Sequence, residues 1–172
     1  MNIEKADYST IVKIGGLEDL ELKLKLDNKS IEQICDWKND ENVSILESCL
    51  VARKFNIAKI LLEAGANVNV ITKDGYNELH CIAPNIGEEG AIDMAYLLLN
   101  KGVDLNQKDN VYGNTAFLSI CIEILKHRPK GYSDLIKHCM NCGANIMDTN
   151  KRGVTAKLVF EKLEDDFLKE WI

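Results

Sequence analysis

The chain has 172 residues, of which 46% are hydrophobic and 28% charged, and its formal net charge is −6 at pH 7. This length suffices for one compact domain or one short repeat array, and the composition is that of a folded, soluble protein. The acidic balance argues against nucleic-acid binding, which needs a basic face, and favours a basic protein partner. Neither a secretion signal nor an apolar run of roughly 18 residues is present, so we expect no membrane partner and a cytoplasmic location.

The first predicted elements form a degenerate helix pair. Residues 8–14 and 17–26 are predicted to form two short helices. The leucines of the second helix lie on one face, opposite its Lys and Glu residues. Residues 27–39, which include Trp37, match no pattern that we can place. We expect residues 1–39 to cap one end of a larger array.

Three segments in the rest of the chain align with one another. Each ends an apolar helix stripe with a glycine, and the three glycines are Gly65, Gly102 and Gly143. Glycine just past a helix favours the left-handed backbone that ends it. A second glycine signal follows each segment, at 74–80, 112–117 and 152–156. Such a repeat predicts stacked helix pairs, because one pair is too small to bury its own apolar face.

This pattern resembles the ankyrin repeat. That repeat reads D-x-x-G-x-T-P-L-H, a short helix, a glycine turn, a longer helix ending L-L-x-x-G-A, and D-V-N before a hairpin turn. The resemblance covers residues 40–156 and extends less clearly to both ends. It implies an all-α ankyrin-repeat solenoid of stacked helix pairs, with hairpin-like connections and divergent caps. The implied units are an N-terminal cap at 1–39, repeats at 40–72, 73–109 and 110–150, and a C-terminal cap at 151–172.

Two of the repeats carry extra residues between their paired helices. The spacing from the turn signal to the capping glycine is longer there than in the first repeat, which places insertions at 84–89 and about 124–130. Gly90 and Gly131, which match the inter-helix glycine of the family, come directly after them.

The C-terminal cap is predicted from an apolar stripe with an acidic outer face. The stripe consists of Leu158, Val159, Leu163, Phe167, Leu168 and Trp171. The outer face consists of Glu161, Glu164, Asp165, Asp166 and Glu170.

Cysteine and histidine residues raise the question of metal binding or catalysis. Cys139-x-x-Cys142, with His138 beside it, has a zinc-like spacing, but a zinc site needs four ligands and no second pair exists. In the repeat register, the cysteines of the helices fall at small or apolar core positions, where a free thiol packs as a small hydrophobe: Cys49, Cys81, Cys121 and Cys139. A metal or redox role is the lesser alternative.

His80 matches the histidine of T-P-L-H, and the resemblance implies that it forms hydrogen bonds within the array. No phosphate-binding loop and no catalytic motif occurs in the sequence. We therefore expect no enzyme activity, no catalytic residues, no cofactor and no bound metal.

The resemblance implies a module that binds another protein. Two functions stay open. In the first, the chain is similar to the small, acidic ankyrin immunity proteins of bacterial polymorphic or contact-dependent toxin systems, which cover the active site of a toxin domain, here a basic one. In the second, it is a generic scaffold or regulator, including an effector directed at host proteins. We expect the free protein to be a monomer.

The residues that flank the D-x-x-G-x-T signal are predicted to point off the hairpin tips and to contact the partner. They are Asp74, Tyr76, Asn77, Tyr112, Asn114, Lys151 and Arg152. Tyr76 and Tyr112 are interpreted as equivalent positions, and rigid aromatic side chains concentrate interface energy. The alternative is that both tyrosines pack against the adjoining hairpin. The insertions at 84–89 and 124–130 are the second-choice surface.

Overall fold

A computed structural model describes residues 1–163, 166 and 168–171, and of residues 170 and 171 it describes the backbone alone. Within these residues the chain forms ten α-helices, two 3-10 helices and no strand. The α-helices are α1 (Tyr8–Ile14), α2 (Leu17–Asp27), α3 (Ile31–Ile34), α4 (Ile45–Val51), α5 (Phe55–Glu63), α6 (Glu78–Ile82), α7 (Ala91–Asn100), α8 (Ala116–His127), α9 (Tyr132–Asn141) and α10 (Ala156–Leu163). The 3-10 helices are Ala83–Asn85 and Leu168–Trp171. None of the described helices is long and apolar enough to cross a membrane.

The helices stack in two layers. The first helices of successive pairs, α1, α4, α6, α8 and α10, pack each on the next, and the second helices α5, α7 and α9 form a parallel row behind them. A single core of buried apolar side chains runs through all the pairs, with the rings of Phe117 and Phe160 in edge contact at 6.1 Å. The predicted all-α solenoid of stacked helix pairs is confirmed.

Each first helix of the repeats begins at a polar side chain that caps it. Ser44, Asn77 and Thr115 occupy this position before α4, α6 and α8. In each case the side-chain oxygen accepts a hydrogen bond from the backbone N–H three residues later. Such a cap satisfies an N–H group that would otherwise have no partner in the helix.

The predicted capping glycines end the second helices. Gly65, Gly102 and Gly143 have φ values of +95°, +82° and +90°, the left-handed region that side chains with a Cβ rarely adopt. These three positions explain why α5, α7 and α9 stop where they do.

Residues 27–39, which the sequence left unplaced, build the entry to the first repeat. They contain α3, after which the ring of Trp37 packs edge-on against Tyr8 at 5.7 Å. Lys38 then pairs with Ser44 in an antiparallel bridge, as Lys108 pairs with Thr115 two repeats later. This segment therefore supplies a hairpin of the same kind as the recognisable repeats.

Both insertions are folded. The first contains the 3-10 helix Ala83–Asn85, and the side-chain amide of Asn85 donates to the carbonyls of Leu50 and Val51 at 3.0 and 3.1 Å. The second lengthens α8 to twelve residues, and the guanidinium of Arg128, the residue that ends α8, donates to the carbonyl of Leu163 at 3.0 Å. The insertions thus tie neighbouring helix pairs together.

The C-terminal cap follows the prediction in part. Val159, Leu163 and Leu168 are buried, whereas Leu158, which was predicted to join them, is 43% exposed, and Phe160 takes its place in the core. Helix α10 presents Phe160 to α8, which is why the stripe is rotated relative to the prediction. Glu161 and Asp166 are exposed. The side chains of Glu164, Asp165, Phe167, Glu170 and Trp171 lie outside the described residues.

Candidate functional site

A groove of about 430 Å³ opens between the first helices and the hairpin tips of the second and third repeats. Its walls come from α4, α6, α8 and the 3-10 helix, and its rim comes from the tips that precede α6 and α8. Its lining includes Val51, Tyr76, Pro84, Asp109, Tyr112 and Glu123. Among the residues that the structure describes, its lining includes two carboxylate side chains and no lysine or arginine.

The tips share one internal geometry. In each tip, the backbone N–H of the first residue donates a hydrogen bond to the backbone carbonyl of the residue four or five positions later in the chain, at 2.9 to 3.1 Å. Those first residues are Asn39, Thr72, Asp109 and Asn150, and the side-chain oxygen of each also accepts backbone N–H groups of its own tip. They stand at the first position of the D-x-x-G signal, except that the Asp109 tip is one residue longer.

Asp109 is the most heavily engaged of these residues. Its carboxylate is 3% exposed and accepts hydrogen bonds from the backbone N–H groups of Tyr112, Gly113 and Asn114. It therefore fixes the conformation of the tip that carries Tyr112. This role was not among the predictions from the sequence, although Asp109 matches the Asp at the start of the D-x-x-G signal.

Backbone hydrogen bonds join each tip to the next. Lys73 N–H donates to Glu41 O at 3.4 Å, Asn110 N–H to Asp74 O at 2.7 Å, and Lys151 N–H to Tyr112 O at 2.9 Å. We call the four tips joined in this way, residues 39–43, 72–76, 109–114 and 150–154, the tip row. Gly75 permits the close approach, because a Cβ at this residue would lie 2.9 Å from the backbone N of Asn110. The tips therefore form one continuous surface.

Of the predicted contact residues on this surface, Asp74, Tyr112, Lys151 and Arg152 are exposed, and Tyr112 is 52% exposed. The Lys151 ammonium group also donates to the backbone carbonyls of the preceding tip. Asn114 is half-buried, and its side-chain oxygen accepts from the Asn150 amide at 2.7 Å.

The two tyrosines differ in position and environment. Counted from the tip glycines, Tyr112 corresponds to Asp74, and Tyr76 corresponds to Asn114, so they are not equivalent as the sequence analysis had them. Tyr76 is half-buried, and its ring packs on His80 with 5.4 Å between the ring centres. Both tyrosines nevertheless line the same groove. Packing thus occupies part of Tyr76, while the Tyr112 side chain is free to meet a partner.

Asn77 is a correction to the predicted surface. Its side chain is fully buried, where it caps α6 and donates to the carbonyl of Asp104 at 2.8 Å. A polar residue in this position serves the helix start and the neighbouring hairpin, and a partner cannot reach it.

His80 joins two repeats, as the resemblance implied. Its Nε2 lies 3.2 Å from the carbonyl of Asn114, and its Nδ1 lies 3.2 Å from the Asn77 backbone N and 2.9 Å from the Asn77 side-chain oxygen. Burial lowers the pKa of the imidazole, partly opposed by the Asn114 hydrogen bond. The neutral ring is therefore part of the wall of the groove.

Glu47 and Glu78 are fully buried carboxyls behind the groove. Glu47 accepts from the Ser44 N–H at 2.7 Å, and Glu78 accepts from the Asn69 and Val70 N–H groups at 2.7 and 3.3 Å. Burial raises the pKa of Glu47 to about 8, with the nearby Glu78 adding to the effect, and burial also raises the pKa of Glu78. Glu47 is therefore mostly protonated at neutral pH.

The buried cysteines lack the features of reactive thiols. Cys35, Cys49, Cys121 and Cys139 are buried, and burial raises the pKa of each, whereas activation of a thiol needs a lowered pKa. Cys142 is exposed, with its sulfur 3.7 Å from His138 Nε2. In the part of the chain that the structure describes, no cluster of three or more His, Cys, Asp or Glu residues could hold a metal ion.

Comparison with known proteins agrees with this architecture. Residues 74–110 match the ankyrin-repeat family model. The chain is also 28% identical over 103 residues to the ankyrin repeat and SAM domain-containing protein 6 of the rat, an alignment that covers 59% of this chain and 10% of the rat protein. The chain thus spans about a tenth of the length of this curated relative. Ankyrin repeats are non-catalytic scaffolds for protein–protein interaction, built as solenoids with an extended binding surface. The described helices form an all-α solenoid of stacked helix pairs, and these two matches show that the chain is similar to ankyrin-repeat proteins.

Proposed function

We propose that the protein binds another protein across the tip row and the first helices. The observation that carries this proposal is the groove, where Tyr112 and Val51 are more than half exposed beside the half-buried Tyr76. Exposed apolar side chains grouped at one concave place are typical of interaction sites. The contact surface consists of Asp74, Tyr76, Tyr112, Asn114, Lys151 and Arg152. The proposal includes no catalytic step, cofactor or metal.

In the proposed arrangement, residues 40–72, 73–109 and 110–150 are the binding repeats, and residues 1–39 and 151–172 are the caps. The free protein is a monomer, located in the cytoplasm. Size-exclusion chromatography with light scattering should therefore show one species with the mass of a single chain.

The proposed partner is a basic toxin domain made by the same cell, which makes this chain an immunity protein of a polymorphic or contact-dependent toxin system. The net charge of −6 and the acidic groove support it, because complementary charge speeds association with a basic enzyme face. Bound across the first helices, the array would cover the active site of the toxin.

The alternative is a scaffold or regulator, including an effector that binds host proteins. The observation that favours it is the match to the rat protein, whose name combines ankyrin repeats with a SAM domain. In that role the groove binds a regulatory partner, and no toxin is neutralised.

Co-expression distinguishes the two. Production of the protein encoded next to this gene should stop growth, and this chain should restore growth and co-purify with it. Tyr112→Ala should weaken both effects, and Leu22→Ala is the matched control, because Leu22 is an exposed apolar residue on α2, away from the groove. Failure of both rescue and complex formation would reject the immunity role. Equal effects of the two variants would reject the groove as the contact surface.

A further inference from the structure

The charge of the groove indicates which side chain of a partner fits it. Asp109 and Glu123 line it, and Asp74 lies exposed at its rim. Within the described part of the chain, no lysine or arginine side chain lines it. Burial raises the pKa of the Tyr76 hydroxyl, and the negative charges of Asp109 and Asp74 raise it further. The lining of the groove therefore places two carboxylates beside two phenol rings.

The walls of the groove suit a long side chain with a planar end. Val51, Ala83 and Pro84 supply apolar surface for methylene groups, and the rings of Tyr76 and Tyr112 supply faces for a cation. Arginine combines an apolar stem with a flat guanidinium that stacks on aromatic rings and binds carboxylates through two parallel hydrogen bonds. A lysine ammonium has the charge without the flat, forked geometry.

Glu123 is the carboxylate that such a side chain would meet. The carboxylate of Asp109 already accepts three backbone N–H groups, so it supplies charge more than new hydrogen bonds. Glu123 pairs with Lys126 at 2.5 Å and with His127 at 3.7 Å, both on its own helix and both about half exposed. The Glu123 side chain itself is 20% exposed, but because both of its present partners are about half exposed, a cation of the partner protein can displace them.

We propose that the groove binds an arginine side chain from a basic segment of the partner protein, with the guanidinium between Tyr76 and Tyr112 and paired with Glu123. This inference rests on the proposed protein-binding function and adds the chemistry of the partner. It predicts that a basic segment lacking arginine binds less well than one that contains it.

The test uses peptides in place of the unidentified partner. Isothermal titration of the full chain with an arginine-rich peptide, and with lysine-rich and glutamate-rich peptides of the same length, compares the three chemistries. We expect the arginine-rich peptide to bind best and the glutamate-rich one not to bind. Backbone-amide NMR shifts should be confined to the groove residues.

Glu123→Gln should lower the affinity for the arginine-rich peptide about tenfold, because the guanidinium loses a charged hydrogen-bonding partner. Glu63→Gln is the matched control: it removes the same charge from an exposed, lysine-paired site on α5. Equal affinities for the arginine-rich and lysine-rich peptides, or equal effects of the two variants, would mean binding by net charge alone and would overturn the inference. Absence of binding would also overturn it, while growth rescue by co-expression would leave the proposed function standing.

Discussion

The buried carboxyl of Glu47 makes the stability of the protein depend on pH. Its pKa of about 8 lies well above the ordinary value of 4.5, because burial disfavours the charged form. Between these two pH values the unfolded chain releases the proton and the folded protein keeps it. The stabilisation is therefore complete below pH 4.5, falls as the pH rises towards 8, and then levels off.

Glu47→Gln should remove this pH dependence. For each pH unit between 4.5 and 8, the free energy of unfolding of the wild type falls by about 1.4 kcal/mol, so between pH 5 and pH 7.5 it falls by about 3 kcal/mol. Glutamine has nearly the same shape, and its carbonyl oxygen can accept the Ser44 N–H that Glu47 accepts now. We therefore expect the free energy of unfolding of the variant, relative to that of the wild type, to increase by about 3 kcal/mol between pH 5 and pH 7.5.

Urea unfolding followed by circular dichroism at several pH values measures the difference. Both proteins carry Glu78→Gln in this comparison, because the charge of Glu78 contributes to the raised pKa of Glu47. His80, whose pKa is also shifted, is present in both, so its contribution cancels. Glu63→Gln, at a side chain that is 65% exposed, is the reference and should show no such gain. A wild-type-to-variant difference that stays constant with pH would refute the assignment of a protonated Glu47.

Other expectations concern the tips. Asp109→Ala removes an acceptor of three N–H groups and should lower the free energy of unfolding by about 2 kcal/mol, measured by urea unfolding. Tyr112→Ala should reduce partner affinity by about 2 kcal/mol or more with little change in the thermal midpoint of unfolding. Tyr76→Ala should lower both the affinity and the thermal midpoint, because the Tyr76 ring packs on His80. A lowered midpoint for Tyr112→Ala would favour the alternative that Tyr112 packs against the adjoining hairpin. Gly75→Ala should destabilise more than Gly143→Ala, since both have positive φ and only the first Cβ would meet a backbone atom within 3 Å; equal thermal midpoints would contradict this.

The sequence predicted the elements whose signals are local. A glycine after an apolar stripe marks a left-handed cap whatever surrounds it, so the ends of α5, α7 and α9 could be predicted from Gly65, Gly102 and Gly143. The stacking order followed from the repeat itself, because each pair needs its neighbours to bury its apolar face.

Features decided by neighbouring repeats could not be predicted in this way. Asn77 looks like a polar tip residue, and its burial depends on the carbonyl of Asp104, 27 residues later. Residues 27–39 contain no glycine. In the tip that begins at Asn39, Asn42 takes the left-handed position at φ +59°, and Trp37 is placed by its contact with Tyr8. The groove likewise forms only where three helix pairs meet.

The tip row has a consequence for how the surface can change its chemistry. Its three tip-to-tip hydrogen bonds use main-chain atoms alone, so they do not depend on which side chains stand at Asp74 or Tyr112. Substitution there can alter charge, size and specificity while the spacing of the tips stays the same. Proline is the exception at the donor positions, Lys73, Asn110 and Lys151, because it has no N–H to give. The same backbone can therefore present surfaces for partners of very different chemistry.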